Sequence, residues 1–304
     1  MSHRVFFKNN ITSVHRFFRK KRTLKTIKGT DQKNLSVVSI YRIEPTNVGD
    51  FYCAPHLYFD KLGHKKIDIL DYKHSDKEIT GNWIRKVTEN ALVIGGGGLL
   101  NRKSFEKQLR LFEYLNEKGK KTVIWGAGHN SAKKKDFGKK IEYNIDVKKF
   151  GLVGLRDYQN DKNWLPCVSC MHPVFDKEYR ETQDLGIIFH KDSIKNKSLL
   201  NRLNHYPATT NSADLEELVS FIGRSNIIVT DSYHAMYWAM LLGKKVLAVP
   251  NSTKFFNFKY QPVFTTFESF EKDLNKTNVI SGLLEETREI NIKFANRVFD
   301  YLEL

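Results

Sequence analysis

Short apolar runs alternate with amphipathic stretches along most of the chain, and nearly every apolar run ends on glycine or a small polar residue. Residues 35–43 (LSVVSIYRI), 66–70, 91–94, 121–125 and 151–155 have the length and side chains of buried strands, as do 185–189, 226–230 and 245–249 further on. Between them, Phe105, Leu109, Phe112 and Leu115 recur at helical spacing, as do Leu215, Leu218, Val219 and Ile222. Residues 51–59 are helix-like, 83–88 read as a short helix, and Ile290, Phe294, Val298 and Leu302 mark a C-terminal helix. Strands that alternate with helices predict parallel sheets, so the fold class is α/β. The second half repeats the first, and residues 173–183, where Pro, Asp, Lys and Glu break the periodicity, read as the linker. The folded part is expected to begin at Leu35, with doubly wound halves at 35–175 and 184–282, a basic segment at 1–34 before them and a helix at 283–304 after them.

Strand ends are where a parallel sheet collects ligands, because helix N-termini beside them leave N–H donors free. The first strand runs into EPTNVGDF, which offers Asn47, Gly49 and Asp50. The third opens into four glycines, Gly95, Gly96, Gly97 and Gly98; that turn either brings the main chain close to a ligand or packs a helix tightly on the sheet, and it fits neither common nucleotide-binding fingerprint. Residues 126–129 (GAGH) end the next strand on His129, and 151–155 delivers Arg156 and Asp157, where Arg156 either grips an anion or pairs with an acid. In the second half, 185–189 leads to His190 and Lys191. Residues 226–230 then reach Asp231 and Ser232, and the helix that follows carries Tyr233 and His234 on its first turn. Asp231 and Ser232 are good helix caps, Asp50 has the same option, and Lys254 is central to the polar, aromatic loop after 245–249.

Composition narrows the picture. A chain of 304 residues that is 40% hydrophobic and carries 7 prolines is a globule. Without a long apolar run or a signal-peptide core, it is expected in a cytoplasm. Its 3 cysteines, two of them in the C-x-x-C of Cys167 and Cys170, lack the partners of a zinc site and read as small buried residues. A formal net charge of +16 demands an anionic partner or surface. The densest cluster, residues 15–28 (HRFFRKKRTLKTIK), interleaves Phe17, Phe18, Leu24 and Ile27 with basic side chains, which suits the inner face of an anionic membrane first, an inert tail next and nucleic acid least.

N-x-G-D after the first strand, G-G-G-x-L, G-A-G, R-D, a histidine at a helix start before A-x-x-L-G-K-x-V, and a lysine in the next loop together resemble the polysaccharide pyruvyl transferase family, in its order, from Asn47 to Lys259. The resemblance implies two Rossmann-like domains facing across a cleft (GT-B-like), an acceptor-side N-terminal domain and a donor-side C-terminal one. It also implies phosphoenolpyruvate as co-substrate, no other cofactor, and a glycan acceptor, polyprenyl-linked or free, that leaves with a pyruvate ketal. By position, Asn47, Gly49 and Asp50 match the first-loop motif, Gly95, Gly96 and Gly97 the glycine turn, Arg156 and Asp157 the R-D pair, His234 the histidine and Lys254 the lysine.

Adding enolpyruvate to two hydroxyls requires protonation of its methylene carbon, stabilisation of an oxocarbenium-like centre, and removal of two hydroxyl protons as phosphate leaves. His234, expected to titrate near neutrality, suits the proton transfers. Asp50 suits a base or a ligand to the acceptor hydroxyls, and Asn47, Gly49 and His129 are the further acceptor-side candidates. Arg156, Lys254 and Lys191, with Ser232, Tyr233 and the glycine turn, would hold the donor's carboxylate and phosphate, and no metal is required. One position departs from the family: its usual S-R-L-H reads Asp231-Ser232-Tyr233-His234 here, so an arginine is replaced by Ser232. Either Lys191, Lys254 or Arg156 takes over its charge, or the donor differs, or activity is lost. A nucleotide-sugar glycosyltransferase of the same fold and a non-catalytic glycan or membrane binder are the alternatives.

Overall fold

The computed structural model describes residues 17–159 and 162–304, which form a mixed α/β fold around two parallel sheets. The N-terminal part of the basic cluster at 15–28, His15 and Arg16, lies outside the described residues.

The first sheet contains β1 (Val37–Tyr41), β2 (Lys66–Asp68), β3 (Ala91–Ile94), β4 (Gly97–Leu100), β5 (Thr122–His129) and β6 (Leu152–Leu155). β3 and β4 pair with successive parts of β5, residues 122–124 and then 127–129, so the glycines interrupt one strand instead of ending it. With β3 and β4 counted once, the order β2-β1-β3-β5-β6 is 2-1-3-4-5. The second sheet, of β7 (Gln183–Phe189), β8 (Ala208–Thr210), β9 (Ser225–Thr230), β10 (Lys245–Ala248) and β11 (Val263–Phe264), has the order β8-β7-β9-β10-β11, again 2-1-3-4-5. In this arrangement the crossovers leave in opposite directions on either side of the first strand. The crevice opened there, between the first and third strands, is where such sheets bind ligands.

Apolar stripes dictate how the helices lie. In α3 (Lys77–Glu89), capped by the Asp76 carboxylate on the Glu78 N–H at 2.7 Å, Trp83 and Val87 face inward. In α4 (Lys103–Glu117) Phe105, Leu109, Phe112 and Leu115 pack on the same core as Ile40, Leu92 and Ile124. In the second half α5 (Lys197–Arg202) buries Leu199, and α6 (Leu215–Arg224) buries Leu215, Leu218, Val219 and Ile222 beneath the cap that Asp214 provides. Every residue of α7 (Tyr233–Leu241) is buried, which explains why no amphipathic period shows in its sequence.

One expectation about the ends changes, and the C-terminal helix is found where expected. Residues 17–28 are helical (α1), and Ile27 is fully buried with Phe112 and Leu115, so the packed structure extends back beyond Leu35. The last helix, α8 (Leu283–Leu302), returns across the chain to cover the first sheet: Phe294, Ala295, Val298 and Leu302 pack on Val93, Val123 and Trp125. Asn291 fixes that return, accepting from Trp125 Nε1 at 3.0 Å and donating to the Pro166 carbonyl at 3.2 Å.

Candidate functional site

The loops that leave the C-terminal ends of strands in both sheets surround one cavity of about 510 Å³. The first sheet contributes Asn47 and Asp50 after β1, Gly96 to Gly98 and Arg102 around β4, and Arg156 after β6; the second contributes His190 and Lys191 after β7, Ser232 to His234 after β9, and Lys254 after β10. Of the residues assigned to catalysis or to donor or acceptor binding, Gly49, Gly95 and His129 do not line it. The Gly95 N–H is spent on the Ile40 carbonyl. His129 is buried with Nδ1 2.9 Å from an oxygen of Asp157, outside good hydrogen-bond alignment, while its N–H donates to the other oxygen at 2.7 Å.

Gly49 shapes the site from behind. It lies in the short helix α2 (Val48–Phe51), and a Cβ there would sit 2.1 Å from Nδ1 of His234. The imidazole, from the second sheet, therefore rests directly on the backbone of the first. Gly97, at φ +87, adopts a conformation that side chains disfavour and brings the main chain beside Asp50.

A relay of amides crosses between the sheets and aims the carboxylate. The Lys191 N–H donates to Asn211 Oδ1 (2.7 Å), Asn211 Nδ2 to Asn47 Oδ1 (3.3 Å), and Asn47 Nδ2 to Asp50 Oδ2 (2.8 Å). Asn211 also accepts the Val48 N–H through its carbonyl. Asp50 does not cap α2. Burial raises its pKa, although Lys254 and Arg156 pull the other way.

Neither expected cap serves α7. Ser232 makes no side-chain cap bond, and the Asp231 carboxylate instead accepts from the His190 N–H (2.6 Å) and the Ser193 hydroxyl, which ties the two second-sheet loops together. The N-terminus of α7, whose residues 232–234 line the cavity, thus carries no side-chain cap, an arrangement that attracts anions. His234 sits in the first turn. Burial, then Arg156 and Lys254, hold its pKa well below the usual value, so the ring is neutral at neutral pH and does not titrate there as its residue type alone suggests.

The cations around it are poorly satisfied within the protein. Arg156 is 1% exposed, its guanidinium lies 4.3 Å from the centre of the Tyr233 ring, and its Nε has no hydrogen-bond partner among the described residues. Lys254 makes no hydrogen bond or ion pair among the described residues, and burial brings its pKa down to about 8. Arg102, exposed at the N-terminus of α4, has Phe105 at 5.5 Å as its ring contact. Lys191 reaches Thr46 (3.1 Å) and Glu44 (3.7 Å) at the rim. Cations from four other elements thus line the cavity that Ser232 lines, and Arg102 was not singled out by the sequence because it sits in no motif. Asn211 was missed because the strand before it spans 3 residues, too short for a periodicity. Among the described residues no group of His, Cys, Asp and Glu is arranged to hold a metal ion.

The sequence profile described as "Polysaccharide pyruvyl transferase" matches residues 31–165 and 170–253. No curated protein matches the chain. Among solved structures, a functionally uncharacterized protein from Klebsiella pneumoniae subsp. pneumoniae NTUH-K2044 is similar at 19% identity and a TM-score of 0.43, over 77% of this chain and 94% of that one.

Proposed function

Since the chain belongs to the polysaccharide pyruvyl transferase family, we propose that it moves the enolpyruvyl group of phosphoenolpyruvate onto two hydroxyls of a glycan and releases phosphate. The observation that carries this reading is the convergence of Arg156, Lys254, Arg102 and an uncapped helix N-terminus on one cavity that also holds Asp50 and His234. A small donor with a carboxylate and a phosphate offers each of these groups a partner. The two sheets act as two Rossmann-like domains facing across a cleft, donor toward the second and acceptor toward the first.

The two titratable groups divide the work because burial favours the neutral form of each, raising Asp50 and lowering His234. In this reading Asp50 is assigned as the acid that protonates the methylene carbon, a role that burial favours; as carboxylate it then takes the proton of the attacking hydroxyl. The second hydroxyl displaces phosphate, and its proton leaves on that phosphate. His234 takes part as a neutral imidazole, while the cations stabilise the departing charge.

The basic helix α1 adds a location. Phe17 and Phe18 are 54% and 62% exposed, beside the exposed Lys21, Arg22 and Lys25, which suits an anionic membrane surface carrying a lipid-linked acceptor. No described helix is long and apolar enough to cross a membrane.

Phosphate release from phosphoenolpyruvate with a diol-bearing glycan, together with ketal formation on that glycan, tests the proposal. Turnover of a nucleotide sugar without either would replace it with the glycosyltransferase reading.

A further inference from the structure

The C-x-x-C of Cys167 and Cys170 plays no part in the mechanism above, yet its first thiol touches the imidazole. Cys167 Sγ lies 3.6 Å from His234 Nε2, within reach of a sulfur hydrogen bond. The segment around it is clasped to α7 at two more points: the Tyr237 hydroxyl donates to the Cys167 carbonyl (2.9 Å), and Trp238 Nε1 donates to Ser169 Oγ (2.9 Å). The Ser169 hydroxyl in turn donates to Cys167 Sγ (3.3 Å).

These contacts have a direction. The indole N–H can only donate, so Ser169 Oγ accepts from it and passes its own proton to the sulfur. Among the described residues, Cys167 Sγ also takes the Ser169 backbone N–H, and the one acceptor left for its own proton is His234 Nε2. Burial raises the Cys167 pKa, so the sulfur keeps its proton and has one to give. In the opposite sense, Nε2–H to sulfur, the sulfur would receive a third donor and its own S–H would have no acceptor. Trp238, one turn along α7, stacks obliquely at 5.6 Å and prevents the ring from swinging away.

We propose that Cys167 is a positioning residue that sets the tautomer of His234, holding Nε2 as acceptor and leaving the single ring proton on Nδ1. That nitrogen is the one beside Gly49, makes no hydrogen bond within the described residues, and belongs to a side chain that lines the cavity. With Nε2 engaged by Cys167, the ring has no lone pair to offer as a base. Resting on the transferase reading, this removes His234 as a proton acceptor and leaves proton abstraction to Asp50.

Long-range proton–nitrogen NMR of the full chain, labelled with nitrogen-15 at histidine and without added ligand, reads the tautomer directly; His234→Gln identifies the resonances. The expected spectrum at neutral pH has Nδ1 protonated and Nε2 bare. Cys167→Ser keeps a donor and should keep that pattern, whereas Cys167→Ala should shift the proton wholly or partly to Nε2. A wild-type His234 protonated on Nε2, or a Cys167→Ala protein with an unchanged tautomer, overturns the proposal; the wild-type spectrum alone decides should the alanine variant not fold. In turnover, Cys167→Ala should lower kcat about tenfold with little change in donor KM, and Cys167→Ser should restore it, as for other groups that orient a working histidine. Absence of pyruvyl transfer in the wild type would refute the transferase reading and leave the spectroscopic result standing.

Discussion

A methyl group on Gly49 would overlap the His234 ring, 2.1 Å from Nδ1. Gly49→Ala should therefore fold and still displace the imidazole, with a loss of turnover on the order of 100-fold, as expected for a misplacement of about 1 Å at a reacting group; circular dichroism separates that outcome from unfolding. Lys254 gives a pH test. Protonated it attracts an anionic donor, and its pKa is about 8, so kcat/KM for the donor should fall as pH rises through that value. Lys254→Met should be low and flat over the same range, and a wild-type profile without the alkaline limb would remove Lys254 from the donor site. Asn47, Gly49 and Asp50 stand out in the sequence because polar and glycine residues directly after an apolar strand have few other reasons to be there. The partners that aim them do not: Asn211 and Arg102 are ordinary surface residue types until the chain folds, and the depressed proton affinity of His234 arises from burial and from cations distant in sequence.

Elements were legible where the period was strong and the length sufficient, as in α4, α6 and the strands flanking α7. They were not where glycine or brevity removed the signal: β4 begins on glycine, and β8 and β11 span 3 and 2 residues. The apolar stripe of α8 was visible, but a stripe does not say what it faces, and it turned out to face the first sheet. Lys120, buried before β5, joins segments that no pattern connects, since Nζ donates to the carbonyls of Thr88 (2.7 Å), Asn90 (3.1 Å) and Lys33. Lys120→Met leaves those acceptors unpaired and should lower stability by about 1–3 kcal/mol in denaturant titration, without changing donor affinity. α1 makes an opposite prediction, in which stability is untouched. Phe17→Ser with Phe18→Ser should abolish sedimentation with vesicles rich in anionic phospholipid, and salt should weaken wild-type binding. Equal binding by wild type and variant would show that α1 is not the docking face.

At the scale of the molecule, strand ends at the switch points of two sheets of the same 2-1-3-4-5 order line one cavity, so residues from opposite halves border the same small volume. Alternation of strands and helices predicted the parallel sheets; the pairing of Asn47 with Asn211 and of Gly49 with His234 required the fold. The most direct test supplies phosphoenolpyruvate labelled with carbon-13 at C2, together with a glycan bearing a free diol, and follows the labelled carbon by NMR. The account predicts a new quaternary ketal resonance on the glycan and one phosphate released per ketal, both lost in Asp50→Asn. Labelled donor left intact while a nucleotide sugar is consumed in the same cavity would contradict it.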